Sequence, residues 1–278
     1  MSDGFWKLER HAARFALGGL EARLDPARPD LGLQDLVVLG APLPGAALLG
    51  VELPGSDTAP EADLLAADVY ARGADLVASY PPRSDWPFAA QIYWRAWIPE
   101  RAAALAAVEL IVSVQTQLLD SRPGLCAASR LPDSDAFRLT SAERGAFIHS
   151  TPARIGAAVN GPTAPPSAAS DGACDCVMLR PTDAVWTYGE IVHPTAPAHT
   201  QLLAEPSPVA ASTGGKTPIP SRVPPRIVVR HSLFAERLEK GVILRARLLA
   251  AFVDRERERA ELAALYREFA ASDPPLTT

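Results

Sequence analysis

The chain has 278 residues, 27 basic and 32 acidic, for a net charge of −5. Hydrophobic residues make up 48% and charged residues 21%, the composition of a soluble globular protein with enough apolar material for a core. This excludes a wholly disordered chain, a collagen-like chain and a disulfide scaffold, and the acidic balance argues against a nucleic-acid partner, because phosphate neutralisation needs a basic face.

At the start, Met1-Ser2-Asp3-Gly4-Phe5-Trp6-Lys7 has no basic stretch followed by an apolar one, so no signal peptide is read. The three cysteines, Cys126, Cys174 and Cys176, are odd in number and sparse, which points to free thiols and a reducing compartment. The expected location is cytoplasmic. The chain holds 27 prolines, close to twice the average share of ~5%. Proline is expelled from helix interiors and central strands, so many loops are predicted.

Leu36 to Leu39 and Ala47 to Leu53 are apolar runs bounded by glycine and proline, and read as strands. Asp68 to Tyr80 reads as a hairpin turning at Arg72-Gly73-Ala74-Asp75 and stopped by Pro81-Pro82. The segment Gln91 to Ile98 alternates strictly. Ile92, Trp94, Ala96 and Ile98 take one face, and Gln91, Tyr93, Arg95 and Trp97 the other. Val108 to Leu119 does the same over about a dozen residues, with Glu109, Ser113, Gln115 and Gln117 on its polar side. The most apolar stretch, Ala102 to Val114, is interrupted by Glu109 and falls short of the roughly 20 residues a membrane span needs, so no membrane partner is expected.

Segments 151–173 and 204–225, rich in Pro, Ser, Ala, Thr and Gly, read as loop insertions. Between and after them, Cys174 to Leu179, Val185 to Val192 and Arg226 to Arg230 read as strands. Residues 242–253 also alternate, placing Arg245 and Arg247 on one face, and are read as a strand in preference to a helix. A C-terminal helix follows near 255–271, with Asp254 as N-cap, Glu256 and Glu258 in the first turn, and an apolar stripe of Leu262, Leu265, Tyr266 and Phe269.

Most motif candidates fail on chemistry. Gly214-Gly215-Lys216-Thr217 resembles the end of a phosphate-binding loop, but position 210 is Ala210 and Pro218-Ile219-Pro220 forbids the helix that must follow. Cys174-Asp175-Cys176 has one residue between thiols where metal pairs have two to four. The five histidines form no paired helical motif, and no Gly-x-Ser-x-Gly elbow occurs. Neither a metal nor a cofactor is expected.

One constellation remains. Gln91, Tyr93, Arg95, Trp97, Gln115, Gln117, Arg245 and Arg247, joined by Trp186, Tyr188, Glu190 and His193 near the next strand, form a ring-and-amide surface suited to a carbohydrate or another small polar ligand. On a catalytic reading, Glu190 and His193 are the acid/base pair for proton transfer at a sugar, as in mutarotation. The alternative is a non-catalytic scaffold or assembly protein, with the aromatic face buried against a partner or a second copy in a homo-oligomer. The predicted fold is mostly β: one antiparallel two-sheet β sandwich over residues 1–278, with long loops and a C-terminal α-helix. In outline this pattern resembles the supersandwich of aldose epimerases and polysaccharide-processing proteins, without a residue-by-residue match to an epimerase's catalytic histidine and glutamate motifs.

Overall fold

The computed structural model describes residues 4–53, 66, 68–154, 176–196, 198–205 and 225–273. The glycine–lysine motif at 214–217, Cys174 and most of both expected loop insertions lie outside the described residues. The first strands are β1 (Trp6–Leu8), β2 (Ala13–Leu17), β3 (Leu20–Leu24), β4 (Leu33–Val38), β5 (Ala41–Pro42), β6 (Ala47–Glu52), β7 (Asp68–Arg72), β8 (Asp75–Tyr80), β9 (Phe88–Ala96) and β10 (Ala106–Thr116). They are followed by β11 (Leu125–Pro132), β12 (Ser134–Ser141), β13 (Ala146–His149), β14 (Ala153–Arg154), β15 (Cys176–Pro181), β16 (Trp186–Val192), β17 (Ala198–Glu205), β18 (Arg226–Leu233), β19 (Ile243–Asp254) and helix α1 (Glu258–Ala270).

Among the described residues these strands form two sheets, so the protein is a mostly β, antiparallel two-sheet sandwich. The first sheet runs β1-β2-β3-β4-β6-β11-β18-β17-β14, with β5 on β4; the second runs β13-β12-β15-β16-β19-β10-β9-β8-β7. The short β14–β17 pair is parallel and the other ladders are antiparallel. Residues 242–253 do extend, so β19 is a strand at the centre of the second sheet, between β16 and β10.

Alternation sorts the side chains. Ile92, Trp94 and Ala96 of β9, Val108, Leu110, Val112 and Val114 of β10, and Leu248 and Phe252 of β19 enter the core between the sheets. They meet Leu48, Val51, Ala127 and Val229 of the first sheet. Leu49 carries a left-handed backbone (φ 54), a costly conformation for a branched residue. It turns both polar groups of one peptide stretch inward: its N–H donates to Ser129 Oγ (3.0 Å) and its carbonyl accepts from Trp94 Nε1 (3.1 Å).

Helix α1 makes a third layer on the outer face of the second sheet. Leu262, Leu265 and Phe269 are fully buried against Ile191, Leu249, Ala251 and Val253. Close approach requires Gly189 on β16, where a Cβ would stand 2.1 Å from Leu262 Cδ2. The helix also grips the irregular β9–β10 connection. Glu268 accepts the backbone N–H groups of Glu100, Arg101 and Ala102 (2.5, 3.2 and 3.0 Å), and Glu261 accepts that of Ala103 (2.9 Å). Those amides have no ladder partner, and the charge-assisted bonds offset the unfavourable position of Glu268 near the negative end of the helix dipole.

The expected cap is corrected. Asp254 is the last residue of β19, paired with Trp186, and its carboxylate accepts the N–H of Glu256 (2.8 Å) in the turn before the helix. Arg257 occupies the N-cap position without a side-chain bond, because strand pairing holds Asp254 one turn too early. Strand β10 stops at Thr116, leaving Gln117, Leu118 and Leu119 exposed beyond it.

Candidate functional site

The outer face of the second sheet gathers polar residues in register. Ser79, Gln91, Ser113 and Arg245 form one row across β8, β9, β10 and β19. Val77, Tyr93, Ile111 and Arg247 form the next, and Asp75, Arg95 and Glu109 begin a third. Neighbouring strands lie about 4.8 Å apart, so side chains in a row are in reach of one another. Gln91 Nε2 donates to Ser79 Oγ (3.3 Å), and the Tyr93 hydroxyl donates to Gln91 Oε1 (2.7 Å). Arg95 binds Asp75 through two parallel bonds (2.5 and 2.8 Å), which hold its guanidinium charged. Arg245 Nε donates to Ser113 Oγ (3.2 Å).

Glu109 is 0% exposed, and Arg247 Nε meets its Oε1 at 2.6 Å. Burial pushes the Glu109 carboxyl above the usual carboxylate range, and Arg247 offsets only part of that push. Its other oxygen, Oε2, lies 4.0 Å from Arg95 Nη1 and has no hydrogen-bond partner. Trp97 Nε1, another buried polar atom at this end of the face, is orphaned too, while His193 Nε2 lies against the backbone of Phe269 and Ser272. All three cluster around Arg247 and Phe269. The Trp97 and His193 rings meet Phe269 edge-on at 5.4 and 5.2 Å, and the Arg247 guanidinium lies 4.8 Å over it. His193 Nδ1 lies 2.8 Å from Thr195 Oγ1 and accepts the backbone N–H of Thr195 (3.3 Å), which leaves the proton of the neutral ring on Nε2, facing the Phe269 and Ser272 backbone. Orphaned buried groups are costly, so Trp97 Nε1 and Glu109 Oε2 mark a place where partners are expected.

The structure therefore brings together Gln91, Tyr93, Arg95, Trp97, Gln115, Arg245, Arg247 and His193 on one face. It does not bring Gln117, which lies exposed past the end of β10. Nor does it bring Trp186, Tyr188 and Glu190, which point the opposite way, into the core between the sheets. Glu190 and His193 are three residues apart on an extended chain, and an odd separation puts two side chains on opposite faces. They cannot share a ligand. An assembly surface built on the four aromatics loses two of them for the same reason.

Inside, Glu190 belongs to a separate network. The Tyr188 hydroxyl donates to Glu190 Oε2, His231 Nε2 donates to Oε1 (2.6 Å), and Thr200 Oγ1 pairs with His231 Nδ1 (2.9 Å). Ser129 Oγ lies 3.2 Å from the Tyr188 hydroxyl. Glu190 and His231 are 1% and 0% exposed, and burial drives the Tyr188 hydroxyl well above its ordinary range, so it stays protonated. His231, Asp75 and Ser272 are the residues that sequence reading missed. Alternation in Ile227, Val229 and His231 is the signal that places His231 inward. Among the described residues, no group of three or more His, Cys, Asp or Glu side chains is placed to hold a metal ion. No helix there is long and apolar enough to cross a membrane.

His193 gives the face a pH dependence. Burial first, then the Arg247 cation, holds its imidazole below the usual range. Below pH ~6.5 the unfolded chain takes up this proton before the folded one does, so stability is lost as pH falls. Glu109 acts oppositely, since its raised carboxyl protonates first in the folded chain. His193→Gln is expected to lose less stability than the wild type between pH 7.5 and 5.5, read as urea midpoints at each pH.

No family model and no curated protein matches the sequence. Solved structures match the fold. An Escherichia coli K12 protein provisionally named an aldose 1-epimerase aligns over 87% of this chain and 98% of its own, with 12% identity and a TM-score of 0.50. A provisionally named mutarotase from Salmonella typhimurium aligns over 90% and 96%, with 9% identity and a TM-score of 0.45. The heparan sulfate lyase HepC from Pedobacter heparinus aligns over 91% of this chain and 37% of its own, with 10% identity and a TM-score of 0.44. At such identities the likeness is one of fold, shared with the first of these proteins across nearly its whole length.

Proposed function

We propose that the chain binds a carbohydrate on the outer face of its second sheet and transfers protons at the bound sugar. The observation that carries this reading is the register that sets Gln91, Tyr93, Arg95, Ser113 and Arg245 side by side, with the orphaned Trp97 Nε1 and Glu109 Oε2 at the end of the face. Planar amide and guanidinium groups give paired hydrogen bonds to adjacent hydroxyls, and the rings of Tyr93 and Trp97 offer flat surfaces to C–H faces. The fold match to a protein provisionally named an aldose 1-epimerase adds support of a general kind.

The carboxylate that shares a face with His193 is Glu109 rather than Glu190. His193 and Glu109 flank Arg247 from two sides. Opening a sugar ring needs one group to give a proton to the ring oxygen while another takes the anomeric hydroxyl proton. His193 carries a proton on Nε2, and Glu109 has an oxygen without a hydrogen-bond partner, which suits such a pair.

Polarimetry of freshly dissolved α-D-glucose and α-D-galactose tests the reaction. The wild type is expected to speed the approach to equilibrium rotation, and Glu109→Gln to lose about 10²-fold or more of that acceleration. Titration calorimetry across a sugar panel tests binding, with Gln91→Ala expected to weaken it about tenfold, the worth of one good hydrogen bond. No acceleration removes the catalytic half, and no binding to any sugar removes the whole reading.

A further inference from the structure

The outer face of the first sheet, across the sandwich from the polar rows of the second, carries a cationic row. Register sets Lys7 of β1 opposite Arg14 of β2, and Arg14 opposite Arg23 of β3. All three are exposed, because Trp6, Phe15, Ala22 and Leu24 take the alternate positions in the core. Like charges directly opposite one another on a sheet repel. Glu9 answers Arg14 (2.7 Å), while among the described residues Lys7 and Arg23 make no ion pair. The row borders a cleft of about 710 Å³, the size of a small-molecule site, with apolar lining from Phe5, Ala16 and Val37.

Two carboxylates, Glu21 and Asp35, line the same cleft. A bulge places the second of them. Glu21 pairs with Val37 and Arg23 with Gln34, so Ala22 faces two residues of β4, Asp35 and Leu36. Asp35 carries a left-handed backbone there (φ 50), a conformation that costs energy in any residue but glycine. A straight strand would avoid that cost. The bulge instead breaks the alternation of β4 and turns one extra carboxylate toward the cationic row.

We propose that this cleft binds a small molecule with an anionic head and a hydrogen-bond-donating tail. The head lies along Lys7, Arg14 and Arg23, whose guanidinium groups give paired bonds to phosphate or carboxylate oxygens and whose mutual repulsion the anion relieves. The tail, an ammonium or a hydroxyl, donates to Asp35 and Glu21. These two carboxylates repel a ligand that is anionic throughout, so a nucleic acid or another polyanionic polymer does not suit the cleft. The site lies on the opposite side of the sandwich from the proposed carbohydrate face and does not depend on it.

The test is an NMR titration of the isotope-labelled full chain in low-salt buffer at pH 7.5, followed at the backbone amides. O-phosphoethanolamine, with a phosphate head and an ammonium tail, is expected to shift the amides around Lys7, Arg14 and Arg23 with a Kd of about 1 mM or below, about tenfold tighter than ethyl phosphate, which has the head alone. Arg23→Gln is expected to weaken both probes about tenfold. Asp35→Asn, which keeps a side chain that tolerates the left-handed backbone, is expected to weaken O-phosphoethanolamine about tenfold and not to weaken ethyl phosphate. β-Alanine carries a carboxylate head on a similar tail. Its binding more tightly than O-phosphoethanolamine assigns a carboxylate ligand, and the reverse a phosphate one; both orders keep the proposal. Shifts confined to other parts of the chain, or no shift with any probe at 20-fold this Kd (about 20 mM), overturn it. An equal loss for both phosphate probes in Asp35→Asn overturns the two-ended ligand.

Discussion

Arg247→Met is expected to cost about 3–5 kcal/mol of stability, read from urea unfolding at pH 8, because it strands a carboxylate that water does not reach. Glu109 is 0% exposed and Arg247 is its one close charged hydrogen-bond partner, with Arg95 4.0 Å from the other oxygen. The same substitution removes the cation over Phe269 and both bonds to Ser272, so the end of α1 loosens as well. A double variant, Arg247→Met with Glu109→Leu, is expected to recover most of the loss, since a buried ion pair replaced whole by apolar side chains is often close to neutral. The loss is also expected to shrink at pH 5. The Glu109 carboxyl already sits above its usual range, and without the guanidinium it takes a proton more readily still. A cost below about 1 kcal/mol at pH 8, on the scale of an exposed pair, defeats this account.

His231→Leu is the second large effect, again about 3–5 kcal/mol, measured by thermal or urea denaturation. It removes the donor to Glu190 Oε1 in a space closed to solvent and leaves Thr200 without its imidazole partner. Glu190→Gln is expected to cost less, because a neutral amide can keep one bond to Tyr188 or His231. The pairing joins β16 of one sheet to β18 of the other, so the loss falls on the contact between the two sheets and not on either sheet alone. A His231→Leu chain as stable as the wild type would mean that the network contributes nothing to the sandwich.

Much of this molecule is written in alternation. The two faces of β9, β10 and β19 follow directly from side chains that differ by two positions, and the register then assembles the polar rows. Glu109 announces itself too: one carboxylate inside an apolar run needs a partner, and an arginine on the matching face of β19 provides it. Other features could not be read this way. The expected pairing of Glu190 with His193 fails on parity, because proximity in sequence along a strand is not proximity in space. His231 lies one residue past the expected end of its strand, and the inward positions of Ile227 and Val229 already lead to it. The burial of the outer face was invisible because it comes from α1 and the β9–β10 connection, packed against residues far away in the chain. Ser272 reaches Arg247 through geometry that no local pattern encodes.

The second sheet has its middle strand last in the chain. Ser113 and Arg245 lie side by side there, yet 132 residues separate them. Loop closure across such a span must be completed before the pairing returns any free energy, and sheets dominated by distant contacts fold slowly, in milliseconds to seconds. Until β19 slots in, β10 and β16 present long, greasy, unsatisfied edges to other chains. Aggregation during refolding is thus expected to depend strongly on protein concentration, and to ease in variants that speed docking of that central strand.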